Sequence, residues 1–252
     1  MRTSYHIITS FFLLVFLIGG QLSAQEYQVD HWETVIYDYQ IWKYFVGTYE
    51  PDTTWRHFLF NDDNWLQGPG GIGYGDDDDG TDISDNSDFE PPLSLYLRKK
   101  FEIFDTAKIS DLTLNVDYDD AFVAYINNIE IARANIGIAG DHPAYNQTAY
   151  VYREAQMYQG LDPEYFTCST NIKDILVEGE NILTVQVHNF NNTSSDMTSR
   201  VFLSVGINDT NTYYSEIPSW FQVPVVFTSS NLPIVFISTQ DVPIVNDPRI
   251  SV

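Results

Sequence analysis

Carboxylates concentrate at two places in the sequence where they could bind a metal ion. Residues 76–82 carry five aspartates around a glycine and a threonine, and a second acidic pair follows about forty residues later. Calcium takes six to eight oxygen ligands, which a carboxylate-rich loop can supply. Crowded carboxylates also repel one another in the absence of a cation. We therefore expect a structural calcium ion whose ligands come from both places: Asp76, Asp78, Asp79, Asp119 and Asp120.

The acidic loop does not fit the EF-hand pattern. If Gly80 takes the sixth position, the first position is Gly75, where a carboxylate is required. The twelfth position is then Asn86 rather than glutamate. The expected site is therefore a calcium site of another kind, and a solvated acidic loop without any metal is the alternative.

Residues suited to nucleophilic or acid–base catalysis show no catalytic spacing. The five histidines are scattered, and no nucleophile-elbow or phosphate-binding glycine motif occurs. Adjacent carboxylates such as Asp119 and Asp120 do not by themselves reach the opposite sides of a sugar, as a glycosidase requires. The single cysteine, Cys168, is expected to be a small buried hydrophobe. We therefore expect no enzymatic activity from these residues.

Two aromatic residues beside the acidic loop are candidates for ligand contact. Trp65 lies between an acidic turn and the glycine-rich residues 68–75, and Tyr74 lies within those residues. An aromatic face can stack on the apolar side of a pyranose ring, although packing in the core is the alternative for most tryptophans. A glycan or a cell-surface partner is the ligand that this pattern favours, bound through the loops.

The composition excludes some partners and favours β-structure. The formal net charge of −23 repels nucleic acids and anionic membrane surfaces, so a nucleic-acid function is not expected. Hydrophobic residues make up 44% of the chain and aromatic residues 15%, which indicates a packed core of pleated surfaces. Short runs that alternate between apolar and polar residues recur with turn signals between them, most clearly at residues 181–189 and 200–207. This pattern is typical of an all-β protein with antiparallel sheets.

The first 24 residues have the pattern of a signal peptide. Arg2 precedes an apolar run over residues 7–18, and Ala24 provides a small residue for cleavage. The run is too short for a comfortable membrane span, with an N-terminal anchor as the alternative. We therefore expect a secreted or cell-surface protein without a membrane span in the mature chain.

Several motifs resemble those of galactose-binding-like domains. Residues 118–132 are similar to the "DDG-x-x-x-Y-x-NG-x-E" hairpin of that family, with Asn128 where glycine is usual. Residues 177–189 look like its "GEN-x-[IL]-x-V-x-V-HN" strand, and residues 73–76 and 194–196 add to the match. The resemblance covers about residues 50–207 and implies a jelly-roll β-sandwich with antiparallel sheets, in which Asp119 and Asp120 shape a turn. We expect this domain to span residues 25–212.

The segment from residue 213 onwards changes character. Prolines interrupt strand-like runs, and residues 230–235 are similar to the opening of a spore-coat-kinase-like (CotH) module. We expect residues 213–252 to be a linker and the first strand of a truncated downstream domain. The preferred function is a non-catalytic binding module of an exported multidomain protein. The alternative is an accessory N-terminal part of a CotH kinase-like enzyme whose catalytic domain lies beyond residue 252.

Overall fold

The computed structural model describes residues 29–77, 79–84, 90–168 and 171–224, and these form a nearly all-β structure. Helical structure in the described residues is limited to the four-residue helix α1, Ile172–Ile175, and to short 3₁₀ turns at Thr53–Arg56, Thr106–Lys108 and Met157–Gln159. The strands are β1 His31–Ile36, β2 Ile41–Val46, β3 Leu66–Pro69, β4 Ile72–Gly73, β5 Thr81–Asp82, β6 Ser94–Ile103, β7 Ile109–Tyr118, β8 Ala121–Ile126, β9 Ile129–Ala134, β10 Glu164–Thr167, β11 Gly179–His188 and β12 Ser199–Ile207.

The strands form two antiparallel sheets that pack face to face. One sheet has the order β1-β12-β7-β10, and the other has the order β3-β2-β6-β11-β8-β9. The short strands β4 and β5 pair in parallel, as a separate element within the long loop that precedes β6. The expected all-β sandwich with antiparallel sheets is therefore confirmed.

The main core lies between the two sheets and follows the alternation in the sequence. Leu183, Val185 and Val187 of β11 are fully buried, and they face alternating apolar residues of the other sheet. Those residues lie on β7 and β12 and include Leu112, Leu114, Val116, Val201, Leu203 and Val205. Burying a side chain of this size contributes about 1.5–3 kcal/mol, so these strands carry much of the stability.

The outer face of the six-stranded sheet is also covered. Trp55, Tyr96, Tyr125 and Ile136 are among the residues of a second buried cluster on that face. Simple alternation predicts a solvated outer face. The face is buried here because segments 53–65 and 135–149 fold over it, which explains why both faces of β11 are buried.

The turns follow the residue types that form them. Asn127 and Asn128 both have positive φ angles, 50° and 70°, which confirms the predicted two-residue hairpin between β8 and β9. The 3₁₀ turn at Met157–Gln159 begins where the Asp117 carboxylate accepts hydrogen bonds from the N–H groups of Gln156 and Met157.

Contacts with the sandwich continue beyond residue 212. The backbone N–H groups of Tyr213 and Tyr214 donate hydrogen bonds to the Glu33 carboxylate, and the rings of Phe221 and Trp32 lie 5.3 Å apart. The predicted signal peptide, and residues 225–252 of the predicted linker and downstream strand, lie outside the described residues.

Candidate metal centre and ligand-binding surface

Asp119 and Asp120 form the connection between the two sheets at one end of the sandwich. They join β7 of the four-stranded sheet to β8 of the six-stranded sheet. The Asp119 N–H donates to the Thr198 carbonyl oxygen at 3.2 Å, and the Asp120 N–H donates to the His188 carbonyl oxygen at 3.0 Å. The acidic pair is therefore fixed where β11 ends and β12 begins.

The carboxylate of Asp120 holds two loops in place. One oxygen accepts a hydrogen bond from the Arg153 N–H at 2.6 Å, and the other accepts from the Phe190 N–H at 2.6 Å. Asp117 acts in the same way on the neighbouring turn, accepting from the N–H groups of Gln156 and Met157, each at 2.8 Å. These bonds determine the course of residues 153–157 across the end of the sandwich.

Within the described ranges, the carboxylate of Asp119 has no backbone donors of this kind. Its side chain is fully buried, and neither carboxylate oxygen accepts a hydrogen bond from the described residues. Burial raises the pKa of Asp119, and the negative charges of Asp120, Asp196 and Glu154 raise it further. A buried carboxylate without donors is among the most costly groups in a protein interior, so this side chain requires either a proton or a cation.

Three further carboxylates meet beside Asp119. Oxygens of Asp76, Glu154 and Asp196 all lie within 4.8 Å of one another, and we call these three residues the acidic cluster. Asp76 is exposed, Glu154 is half-buried and Asp196 is buried. Burial raises the pKa of Glu154, followed by the charges of Asp196 and Asp76. This arrangement of oxygens could hold a metal ion.

A short backbone bridge brings Asp76 to Asp196. Tyr74 and Met197 exchange two hydrogen bonds, from the Tyr74 N–H at 3.0 Å and from the Met197 N–H at 2.9 Å. Gly75 then turns with a φ of +89°, and a Cβ atom there would lie 2.7 Å from the Asp196 Cβ. This close approach requires glycine, because any side chain would push the two acidic segments apart.

The predicted metal ligands do not all lie at the acidic cluster. Asp76 belongs to the acidic cluster, and Asp119 and Asp120 lie beside it. Asp79 points instead towards Gly73, where an added Cβ would lie 2.5 Å from its Oδ1. Asp78 lies outside the described residues. Glu154 was not predicted as a ligand, because it belongs to no recognisable motif. Asp196 could have been predicted, because it belongs to the Ser194-Ser195-Asp196 motif.

Tyr74 lies in the wall of the site. Its side chain is 3% exposed, and burial raises its pKa to about 12. The hydroxyl donates to the Ser194 carbonyl oxygen at 3.1 Å and accepts from the Asn189 Nδ2 at 3.0 Å. Tyr74 therefore supports the loop that carries Asp196, and little of its ring is left for a ligand.

Trp65, the other predicted ligand contact, lies on the outer face of the six-stranded sheet. It is half-buried among Phe45, Trp55 and Phe60, with ring centroids 5.5, 6.3 and 5.6 Å away. The ring helps to close the second buried cluster. Because Trp65 is partly exposed, its contact with a ligand stays a prediction.

Four exposed aromatic side chains lie on the loops at this end of the sandwich, and one of them, Tyr158, contacts the acidic cluster. Tyr150, Tyr152, Tyr158 and Phe190 are between 38% and 57% exposed, and we call them the aromatic rim. Their backbones are held together at this end of the sandwich. The Ala149 N–H donates to the Asn189 carbonyl oxygen. The Asp120 carboxylate accepts from the N–H groups of Arg153, which follows Tyr152, and of Phe190 itself. The Tyr158 hydroxyl lies 3.4 Å from Glu154 Oε2.

His188, at the end of β11, is buried and neutral. Its Nδ1 donates to the Gln147 carbonyl oxygen at 2.8 Å, and burial lowers its pKa from 6.5 to about 4. The unfolded chain binds a proton at this imidazole below pH 6.5, whereas the folded chain binds one only near pH 4. The contribution of His188 to the free energy of unfolding is therefore fully present above pH 6.5. It decreases as the pH falls, and about 3 kcal/mol of it is lost at pH 4.

A His188→Gln variant tests this titration, because glutamine keeps a hydrogen-bond donor but binds no proton. We expect the difference in free energy of unfolding between the two proteins to narrow by about 3 kcal/mol between pH 7 and pH 4. Chemical denaturation at both pH values measures it. A difference that stays constant would show that the imidazole does not stay neutral in the fold.

Comparisons with known proteins give no family for the chain. No protein-family model matches, and no curated protein matches. Similar solved structures include a β-glucuronidase from glycoside hydrolase family 2, with 17% identity and a TM-score of 0.43, covering 69% of this chain and 18% of that one. A Bacteroides uniformis β-glucuronidase has 15% identity and a TM-score of 0.44, with coverage of 69% and 18%.

A third similar structure is a β-glucuronidase from an uncultured Clostridium species. It has 16% identity and a TM-score of 0.43, and the match covers 78% of this chain and 31% of that one. The chain thus spans less than a third of the length of each of these enzymes. No helix in the described part of the chain is both long and apolar enough to cross a membrane. The CotH-like residues 230–235 lie outside that part.

Proposed function

We propose that this chain is a non-catalytic binding module of an exported multidomain protein, that its ligand is a glycan or a cell-surface partner, and that calcium is its structural cofactor. The observation that carries the proposal is that the aromatic rim and the acidic cluster lie at the same end of the sandwich, where the connecting loops meet. A galactose-binding-like domain, which the sequence motifs resemble, would bind a ligand through such loops.

The chemistry of the rim suits a sugar. Exposed rings offer apolar faces to the C–H side of a pyranose. The four rings lie on loops that hydrogen bonds hold together at one end of the sandwich. The net charge of −23 repels polyanions, so we assign neutral glycans as the ligand class.

The carboxylate geometry supports binding rather than hydrolysis. One oxygen from each of the three carboxylates lies within 4.8 Å of the other two, a spacing at which a single cation can contact all three groups. A bound cation accounts for such close carboxylates better than acid–base catalysis does.

A glycan array with the purified chain in calcium tests this function. We expect binding to a neutral glycan, and the Tyr152→Ala and Phe190→Ala variants should each weaken it about tenfold, as loss of one stacking contact would. Phe104 is 50% exposed just after β6, at the opposite end of the sandwich, so Phe104→Ala is the matched control and should bind normally. Absence of glycan binding, or an equal loss in the control, would contradict the proposal.

A further inference from the structure

We propose that Asp76, Glu154 and Asp196 bind one calcium ion, that Asp119 contributes a fourth carboxylate from the buried side, and that this ion holds the aromatic rim in its binding arrangement. The ligand set joins four chain segments that are far apart in sequence. The last part of the inference rests on the proposed function, whereas the ion site itself stands on the geometry alone.

The independent observation that points to a cation is Asp119. Its carboxylate is 0% exposed, and neither oxygen accepts a hydrogen bond from the described residues. Its backbone is fixed by the bond from its N–H to the Thr198 carbonyl oxygen, two residues after Asp196. The charges of Asp196 and Glu154 both act on the Asp119 carboxylate, which places it beside the acidic cluster, and a metal ion satisfies such buried acceptors without a donor.

The ligand chemistry selects calcium. All four groups are carboxylates, and neither histidine nor cysteine belongs to the cluster, so zinc lacks the nitrogen and sulfur ligands that it prefers. Calcium accepts irregular arrangements of six to eight oxygens, whereas magnesium requires a near-ideal octahedron. Asp76 is exposed, which leaves that side open for water ligands.

The ion would connect directly to the rim through Glu154. This residue lies between Arg153 and Gln156, whose N–H groups are bound by Asp120 and Asp117, and it is flanked by Tyr152 and Tyr158 of the rim. Without a cation, the charges of Glu154, Asp76 and Asp196 repel one another across the site. A cation reverses that repulsion and ties the 153–158 segment to the loops of Asp76 and Asp196.

Calorimetric titration of the metal-free chain with calcium chloride tests the site. We expect one calcium ion per chain, binding at least tenfold weaker in Glu154→Gln and in Asp196→Asn. Glu178, exposed just before β11 at the opposite end of the sandwich, gives the matched control Glu178→Gln, which should bind calcium normally. Glu154 is half-exposed, so its variant should fold even if Asp196→Asn does not, and circular dichroism confirms this.

The outcomes separate this inference from the proposed function. No calcium binding at millimolar concentration, preference for magnesium, or unchanged affinity in a folded Glu154→Gln variant would overturn the site. Glycan binding that is equal in calcium and in chelator would overturn the coupling to the rim. Calcium binding with the expected loss in the variants, but without any glycan ligand, would support the site and contradict only the proposed function.

Discussion

In chelator, the Asp119→Asn variant should be more stable than the unsubstituted protein by about 1–3 kcal/mol, because the amide removes a buried charge that has no backbone donor among the residues described. Asparagine has the same shape and no charge to desolvate. The raised pKa of Asp119 leads to the same expectation. The folded state holds this proton more tightly than the unfolded state, so stability is lost as the pH rises from 3.8, the ordinary value, through the folded pKa.

Calcium should reverse this order of stability. An ion present at a hundred times its dissociation constant stabilises the folded protein by about 2.7 kcal/mol, and the variant should lose most of that gain. Urea denaturation of both proteins, in calcium and in chelator, measures the four free energies of unfolding.

The neighbouring Asp120→Asn variant is the control for the reversal. Each carboxylate oxygen of Asp120 accepts a backbone hydrogen bond, and asparagine can accept only one of the two. We expect this variant to be less stable under both conditions. If Asp119→Asn is the less stable protein in chelator, the buried carboxylate has a partner and the account of the site is wrong.

Replacing Arg98 by methionine should cost about 3–5 kcal/mol of stability, the usual effect of breaking a buried ion pair. The Arg98 side chain is 0% exposed, and its Nε donates to Asp62 Oδ2 at 2.7 Å. Its Nη1 donates to the carbonyl oxygens of Trp55 and His57, the latter at 3.2 Å. Arg98 therefore fixes the segment that covers the outer face of the six-stranded sheet.

The matched control is Lys100→Met on the same strand and the same face. Lys100 is exposed, and its Nζ lies 4.8 Å from the ring centroid of Phe58, so its loss should change stability by less than about 1 kcal/mol. Urea denaturation compares the variants, and the near-ultraviolet circular dichroism of Trp55 and Trp65 reports whether the cover loosens. A loss below 1 kcal/mol in Arg98→Met would show that the cover is held by its apolar contacts alone.

The strands could be predicted because their information is local. Leu183, Val185 and Val187 alternate with polar residues, and the period of two places them on one face. Asn127 and Asn128 tolerate the left-handed geometry that their hairpin requires. The antiparallel sandwich follows from such features, since each strand must bury one apolar face.

The cover of the six-stranded sheet could not be predicted because it depends on long-range contacts. Trp65 lies in a segment rich in turn residues, and its partners Phe45 and Trp55 belong to other elements. Tyr74 follows several glycines, which suggests an exposed loop, but its bridge to Met197 buries the ring. Neither contact leaves a periodic signal in the sequence.

The acidic site could be predicted in part. The crowding of aspartates pointed to Asp76 and Asp119, because like charges at short spacing require a cation or a proton. Glu154 lies in a loop without a motif, and it reaches the site through hydrogen bonds of its neighbours to Asp117 and Asp120. Such a position depends on the fold of two distant segments and cannot be predicted from spacing.

Anomalous diffraction from crystals of this protein grown in calcium is the most direct measurement of the central claim, because it locates the ion itself. The predicted result is one anomalous peak within ligand distance of Asp76, Glu154, Asp196 and Asp119, at the end of the sandwich that carries the aromatic rim. An ordered acidic cluster without a peak, or an ion bound elsewhere on the chain, would contradict it.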